Sequence, residues 1–319
     1  MKRWLTSSLV LGAGLALILS GCTNNAEESA AGKLKVVTTF YPMYEFSKQV
    51  AGDHAEVIAL IPTGVEPHDW EPSAKDMALL KEADVFVYNG IVEGWAEDAL
   101  TSASNDKRIV VEATHGLPLV EGEIEEEHEH EEEQSGEEGG NEEVVHGLDP
   151  HVWLSPALAQ DEVSAIQTAL VKADPANADD YKNNAEAYIE RLKELDQAYR
   201  DGLKDTKRKE FVTQHAAFGY LAQEYGLKQI PIAGLSPELE PSPEEMAEVV
   251  EFAKKHQVKT IFFETLVEPK VAQVVANEIG AKTDVLNPLE GLTDDDLNHN
   301  RDYITVMLQN LEALQRALN

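Results

Sequence analysis

Cysteine is almost missing from this chain: its 319 residues contain one, Cys22. A lone thiol excludes an intramolecular disulfide and any CxxC-type zinc site, so stability must come from cores large enough to do without cross-links. Basic residues are scarce too, with 26 Lys and Arg against 59 Asp and Glu and a formal charge of −33. Such a surface repels nucleic acid and anionic headgroups and attracts cations. The HExxH signature of many zinc hydrolases is absent. The apolar run from Leu9 to Leu19 falls short of the ~20 residues that span a bilayer.

What is present at the N-terminus is a basic start, Met1-Lys2-Arg3, followed by that apolar run and Leu19-Ser20-Gly21-Cys22. The pattern is a secretory signal, and its end resembles a bacterial lipobox, which implies cleavage before Cys22 and lipid on its thiol and new amino group. Residues 1–21 are therefore read as a lipoprotein signal peptide and 22–32 as a flexible tether. The expected location is extracytoplasmic, lipid-anchored to the bacterial cell membrane. Thirteen of the acidic residues are glutamates between Glu121 and Glu143, with no Lys or Arg among them. This tract buries too little apolar area to offset chain entropy, so 121–146 is read as a mobile insertion.

From Lys33 onward short apolar runs alternate with helical periodicities. Strands are expected at Leu34–Thr38, Glu56–Ile61, Val85–Tyr88 and Arg108–Val111, with helices at Tyr41–Val50, Ser73–Ala83 and Trp95–Ser102. Ser73 and Asp76 offer a cap for the second helix. A helix over Pro156–Lys172 follows. Asp174-Pro175 then offers a cap and first-turn proline for a long helix whose apolar stripe is Tyr181, Ala185, Tyr188, Leu192, Leu195, Tyr199 and Leu203. The alternation restarts with strands at Phe211–Thr213, Gln229–Ile232, Thr260–Phe263 and Asp284–Leu286. The expectation is an α/β fold of two lobes, each a small, mainly parallel sheet flanked by helices, joined by one long rigid helix. The divisions are 33–173 for the N-terminal lobe with its insertion, 174–205 for the linking helix and 206–319 for the C-terminal lobe. A ligand site belongs in the cleft where the carboxyl ends of both sheets face each other.

Three histidines sit beside turn-forming residues at such strand ends: His68 in Glu66-Pro67-His68-Asp69-Trp70, His151 in Asp149-Pro150-His151-Val152-Trp153, and His215 in Thr213-Gln214-His215-Ala216. Glu290, in Asn287-Pro288-Leu289-Glu290-Gly291, supplies a fourth candidate, so each lobe contributes two. Dispersed imidazoles that converge only on folding suit zinc. His128, His130 and His146 in the acidic insertion are candidates for weak accessory metal binding. His54, His115, His256 and His299 read as surface histidines, and Trp70, Trp95 and Trp153 as packing near the cleft.

The segments around His68, His151, His215 and Glu290, in this order, resemble the metal-binding solute-binding lipoproteins of bacterial ABC importers for zinc and manganese. The resemblance covers nearly the whole mature chain. It implies two lobes bridged by a rigid helix, a closed site of His68, His151, His215 and Glu290, delivery to a membrane permease, membrane attachment through Cys22, a monomer and no catalysis. Manganese members carry a glutamate at the third position and an aspartate at the fourth. Three imidazoles and one carboxylate instead favour Zn²⁺. Manganese transport, a surface adhesin and a secreted zinc hydrolase are the competing expectations. Asp69, Asp149 and Gln214 are the candidates for orienting the histidines from behind.

Overall fold

In the computed structural model, residues 33–122, 147–237 and 241–319 are described. The predicted lipidation site Cys22 and the loop histidines His128, His130 and His146 lie outside them. The first sheet contains β1 (Leu34–Thr38), β2 (Ala55–Ala59), β3 (Val85–Tyr88) and β4 (Ile109–Glu112), all parallel, in the order β2-β1-β3-β4. Helices α1 (Tyr41–Ala51), α2 (Ala74–Glu82) and α3 (Ala96–Ser102) connect them. The second sheet contains β5 (Glu210–Thr213), β6 (Lys228–Pro231), β7 (Thr260–Phe263) and β8 (Lys282–Val285), again parallel, in the order β6-β5-β7-β8. Here α6 (Gly219–Glu224), α7 (Pro243–Lys255) and α8 (Lys270–Ile279) make the crossovers. Both lobes thus share one topology, with a strand-order reversal between β1 and β3 and between β5 and β7, where open α/β sheets take their ligands.

The inner strands β1, β3, β5 and β7 are short, mostly apolar runs without strict alternation because helices cover both sheet faces, whereas the edge strands β6 and β8 are largely polar. All four residues of β3, Val85-Phe86-Val87-Tyr88, are buried. Helix α4 (Pro156–Ala173) packs on the first sheet and α1, beside α5 (Ala178–Leu203), the long helix that joins the lobes, and α10 (Tyr303–Leu318) closes the chain. The buried stripe of α5 is Tyr181, Ala185, Tyr188, Leu192, Leu195, Tyr199 and Leu203, the residues that the periodicity picks out. Near its start Asn184 donates to the Val50 carbonyl of α1 at 3.1 Å, and near its end the Tyr199 hydroxyl donates to the Met307 carbonyl of α10 at 2.6 Å. The helix therefore fastens to both lobes.

The core is shared more than a two-lobe reading suggests. One continuous apolar cluster runs from Val36, Phe40 and Phe46 through Trp153 and the α5 stripe to Phe211, Leu286 and Tyr303. Two smaller clusters fill the outer faces, around Phe86 and Leu80 in one lobe and around Ile261 and Val275 in the other.

Three local differences from the sequence expectation have simple causes. Asp174-Pro175 does not begin the long helix: Pro175–Asn177 form a 3-10 turn, with Asp174 accepting from Asn177 at 2.6 Å and Tyr181 at 2.9 Å. A short helix, α9 (Asp294–Asn298), starts at a Thr293/Asp296 capping box. Strand ends shift by one or two residues, since terminal pairing depends on the neighbouring strand. Among the described residues no helix is long and apolar enough to cross a membrane.

Candidate metal centre

Each of the four predicted ligands lies beyond the carboxyl end of a strand or in the turn that replaces one. His68 is in the long β2–α2 connection, His151 caps the 3-10 turn Val152–Leu154, His215 is two residues past β5, and Glu290 is in the β8–α9 loop. Folding brings all four together, with one ligand atom from each within 4.8 Å of the others. Oε1 of Glu290 is the hub, 3.2 Å from Nε2 of His68, 3.2 Å from Nε2 of His151 and 3.4 Å from Nε2 of His215. The Nε2 atoms of His151 and His215 are 3.4 Å apart.

These separations bear on what the cluster can hold. A regular tetrahedron with metal–ligand bonds of about 2.0–2.1 Å has edges of roughly 3.3–3.4 Å, close to these four separations, and the two remaining pairs, His68 with His151 and His68 with His215, lie within 4.8 Å. Oε2 of Glu290 is buried and makes no hydrogen bond. Three imidazoles crowding one carboxylate oxygen cannot all be good hydrogen-bond partners, whereas a central cation satisfies every one of them.

Behind the donors stand further carboxylates. Nδ1 of His151 meets Oδ1 of Asp149 at 2.8 Å, and the same oxygen accepts the His151 backbone N–H at 2.9 Å. Nδ1 of His215 meets Oε1 of Glu264 at 2.7 Å. Both bonds place the ring proton on Nδ1 and leave Nε2 facing the centre as a ligand, the usual second partner of a metal-binding histidine. Glu66 accepts the His68 backbone N–H at 3.0–3.1 Å. The side chains of His151, His215 and Glu290 are almost fully buried, while His68 retains 11 % exposure and marks the open side.

Burial and charge oppose each other here. Burial disfavours charge on His151, but its hydrogen bonds with Asp149 and Glu290 outweigh that and raise its pKa. His215 feels the same burial penalty, overcome more strongly by Glu264 and then Glu290, so its pKa is pushed up to about 10. Burial alone would raise the Glu290 carboxyl, yet hydrogen bonds from His151, His215 and His68 hold it well below the carboxylate range. The metal-free centre is thus an anionic pocket that retains protons, and a divalent cation competes with those protons for the same lone pairs.

The loop bearing Glu290 is tightly held. Asn310 accepts the Asn287 N–H at 2.9 Å and donates to its carbonyl at 2.7 Å, and Trp153 Nε1 donates to Pro288 C=O at 2.7 Å. Leu289, fully buried, takes a left-handed φ of 58°, a conformation that costs a side-chain-bearing residue roughly 1–2 kcal/mol. Trp153 is therefore packing, as expected, and also ties the His151 loop to the Glu290 loop.

Of the three residues expected behind the histidines, Asp149 is there. Asp69 is exposed, and Gln214 turns away to donate to the Glu268 carbonyl at 3.1 Å. Glu264 takes the role behind His215 and was not anticipated; its signal is a carboxylate directly after the buried strand Thr260-Ile261-Phe262-Phe263, beside the reversal in strand order.

Comparison with known proteins agrees with the geometry. The family described as zinc-uptake complex component A, periplasmic (ZnuA), matches residues 36–317. The high-affinity zinc uptake system protein ZnuA of Bacillus subtilis (strain 168) is 49 % identical over 322 residues, covering 99 % of this chain and 98 % of that protein. The zinc-binding lipoprotein AdcA of Streptococcus pneumoniae R6 is 47 % identical over 310 residues; these cover 97 % of this chain but only 60 % of AdcA. The crystal structure of the Zn(II)-bound ZnuA-like domain of that species' AdcA superimposes with a TM-score of 0.74 at 45 % identity, covering 90 % of this chain and 99 % of the domain. Fold, donor geometry and a match over nearly all of the described chain converge: the protein belongs to the ZnuA family of zinc-uptake components.

Proposed function

We propose that this chain captures Zn²⁺ outside the cytoplasmic membrane, through His68, His151, His215 and Glu290, and hands it to a membrane ABC permease. The observation that carries the reading is the convergence of three imidazole nitrogens and one carboxylate oxygen within 4.8 Å of one another, four of the six separations being 3.2–3.4 Å. Nitrogen-rich tetrahedral sites suit Zn²⁺, whereas Mn²⁺ is better matched by oxygen-rich sets of higher coordination number. Four protein donors fill a tetrahedral zinc shell and leave no position for an attacking water, which supports a carrier over a hydrolase.

Two donors come from each lobe, so the ion favours the arrangement in which the lobes are apposed. A permease that distinguishes this arrangement from the metal-free ensemble then receives only loaded protein. Lipid on Cys22 would keep the monomer near that permease. His68, the most exposed ligand, is the natural point of entry and exit for the ion.

The test combines binding and growth. Calorimetric titration at pH 7.5 should give one Zn²⁺ per chain, with Mn²⁺ unable to displace it at equal concentration, and His215→Ala should weaken zinc at least a hundredfold. A strain lacking the protein should fail to grow under zinc limitation and recover with added zinc or the wild-type chain but not with the His215→Ala chain. Preferential manganese binding, or growth independent of the protein, would reject the reading.

A further inference from the structure

The stem on either side of residues 123–146 belongs to the N-terminal lobe, and its chain leads directly into His151. The Asp149 N–H donates to the Val120 carbonyl at 2.9 Å, and Gly122 donates to the Gly147 carbonyl at 2.5 Å. One phenol from the opposite lobe takes two main-chain groups of this stem. The Val120 N–H donates to Tyr220 Oη at 3.1 Å, and the Tyr220 hydroxyl donates to the Asp149 carbonyl at 2.9 Å. Tyr220 is buried in α6. Its neighbour Gly219 lies so close to the Asp149 side chain that a Cβ there would stand 2.5 Å from Oδ2. The other carboxylate oxygen, Oδ1, holds both the backbone N–H and Nδ1 of His151.

Asp149 is thus fixed from the far lobe through its carbonyl and confined through Oδ2, while Oδ1 aims a metal ligand. We propose that Gly219 and Tyr220 are positioning residues that clamp Asp149, so that the His151 ring stays aimed at the centre only while the lobes are apposed, and that this clamp sets how fast a bound zinc ion leaves. The proposal rests on zinc being the cargo. The physical reason is that separating the lobes breaks both Tyr220 hydrogen bonds and frees the Asp149 carboxylate, so loss of one ligand accompanies opening. Without the clamp, His151 can swing away while the lobes remain together, and partners behind a ligand typically change metal affinity about 10–100-fold.

Tyr220→Phe is the decisive variant, read by stopped-flow transfer of zinc to excess chelator and by equilibrium competition. The dissociation rate should rise about tenfold with the association rate within about twofold, so that the dissociation constant weakens by the same factor. Gly219→Ala should act in the same direction. In a His151→Ala background Tyr220→Phe should change zinc release by less than about twofold, because no ring is left to aim. Tyr225→Phe removes a comparable hydroxyl bond, to Asp196 at 3.0 Å, and should lower the melting temperature while leaving zinc release unchanged. The clamp is overturned if Tyr220→Phe behaves as Tyr225→Phe does, or if its effect persists undiminished without His151. A wild-type chain that takes no zinc overturns the cargo reading as well, whereas tight wild-type binding with unaltered release from Tyr220→Phe overturns the clamp alone.

Discussion

Replacing Glu264 by glutamine separates what this centre offers a proton from what it offers a metal ion. The amide keeps the size of the side chain and can still accept from Nδ1 of His215, now 2.7 Å from Oε1, but it removes the charge. In the wild type His215 has its pKa pushed up to about 10, so at pH 7 zinc must expel a proton held about three units above ambient, a cost of roughly 4 kcal/mol. Glu264 is the largest contribution raising that value, and it stabilises the dication more than the single proton because Coulomb energy scales with charge. The variant should therefore lose zinc affinity, by up to about 10–100-fold, most clearly at the alkaline end of the range near pH 9, where proton competition is least. The loss should shrink toward pH 6, since the competing proton is weakened too. Wild-type affinity should climb at least about tenfold per pH unit across this range, with the climb of the variant flattening earlier. Chelator competition at pH 6, 7, 8 and 9 measures both curves. Parallel curves, or equal affinities, would refute the argument that Glu264 acts through the protonation of His215.

Three other outcomes follow from the same structure. In the metal-free protein the raised His215 pKa gives stability that is fully present below about pH 6.5 and lost as pH rises through about 10, while the depressed Glu290 pKa gives stability present above about 4.5 and lost as pH falls further. Zinc replaces the retained protons, so the rise in melting temperature on adding zinc should grow from pH 5 to pH 8; a constant increment would contradict this linkage. Leu192→Ala, in the buried stripe of α5, should cost about 2–5 kcal/mol and lower one common unfolding transition, because the cluster it belongs to is continuous across both lobes; two separate calorimetric transitions would argue against a shared core. Replacing 123–146 by a two-residue turn between Gly122 and Gly147, which already pair at 2.5 Å, should leave the tight zinc site intact; loss of that site in a titration would place a ligand within 123–146.

How much of this is legible from the residues depends on the range of the contact. The stripe of α5 is local periodicity, and the structure buries the same seven positions. The four candidate ligand positions stand out because prolines and turn residues flank strand ends, and parallel sheets direct those ends to a common cleft. Asp149 is legible because its bond to His151 spans two residues, the reach of an Asx turn. Glu264 is not, because its partner lies 49 positions away and only the pairing of β5 with β7 brings them together. Gln214 misleads for a related reason: successive residues leaving a strand point to opposite sides, so the neighbour of a ligand faces away from it. The continuous core is equally hidden, since apolar patterning shows which faces are buried but not which lobe buries them.

In the proposed function His68, His151, His215 and Glu290 close around one zinc ion. X-ray absorption at the zinc edge, on protein loaded with one equivalent of zinc, measures that shell directly. The account predicts four nitrogen or oxygen neighbours at about 2.0–2.1 Å with multiple-scattering features of three imidazoles, falling to two imidazoles in His215→Ala. Six-coordinate oxygen-rich zinc, or a spectrum unchanged by His215→Ala, would contradict it.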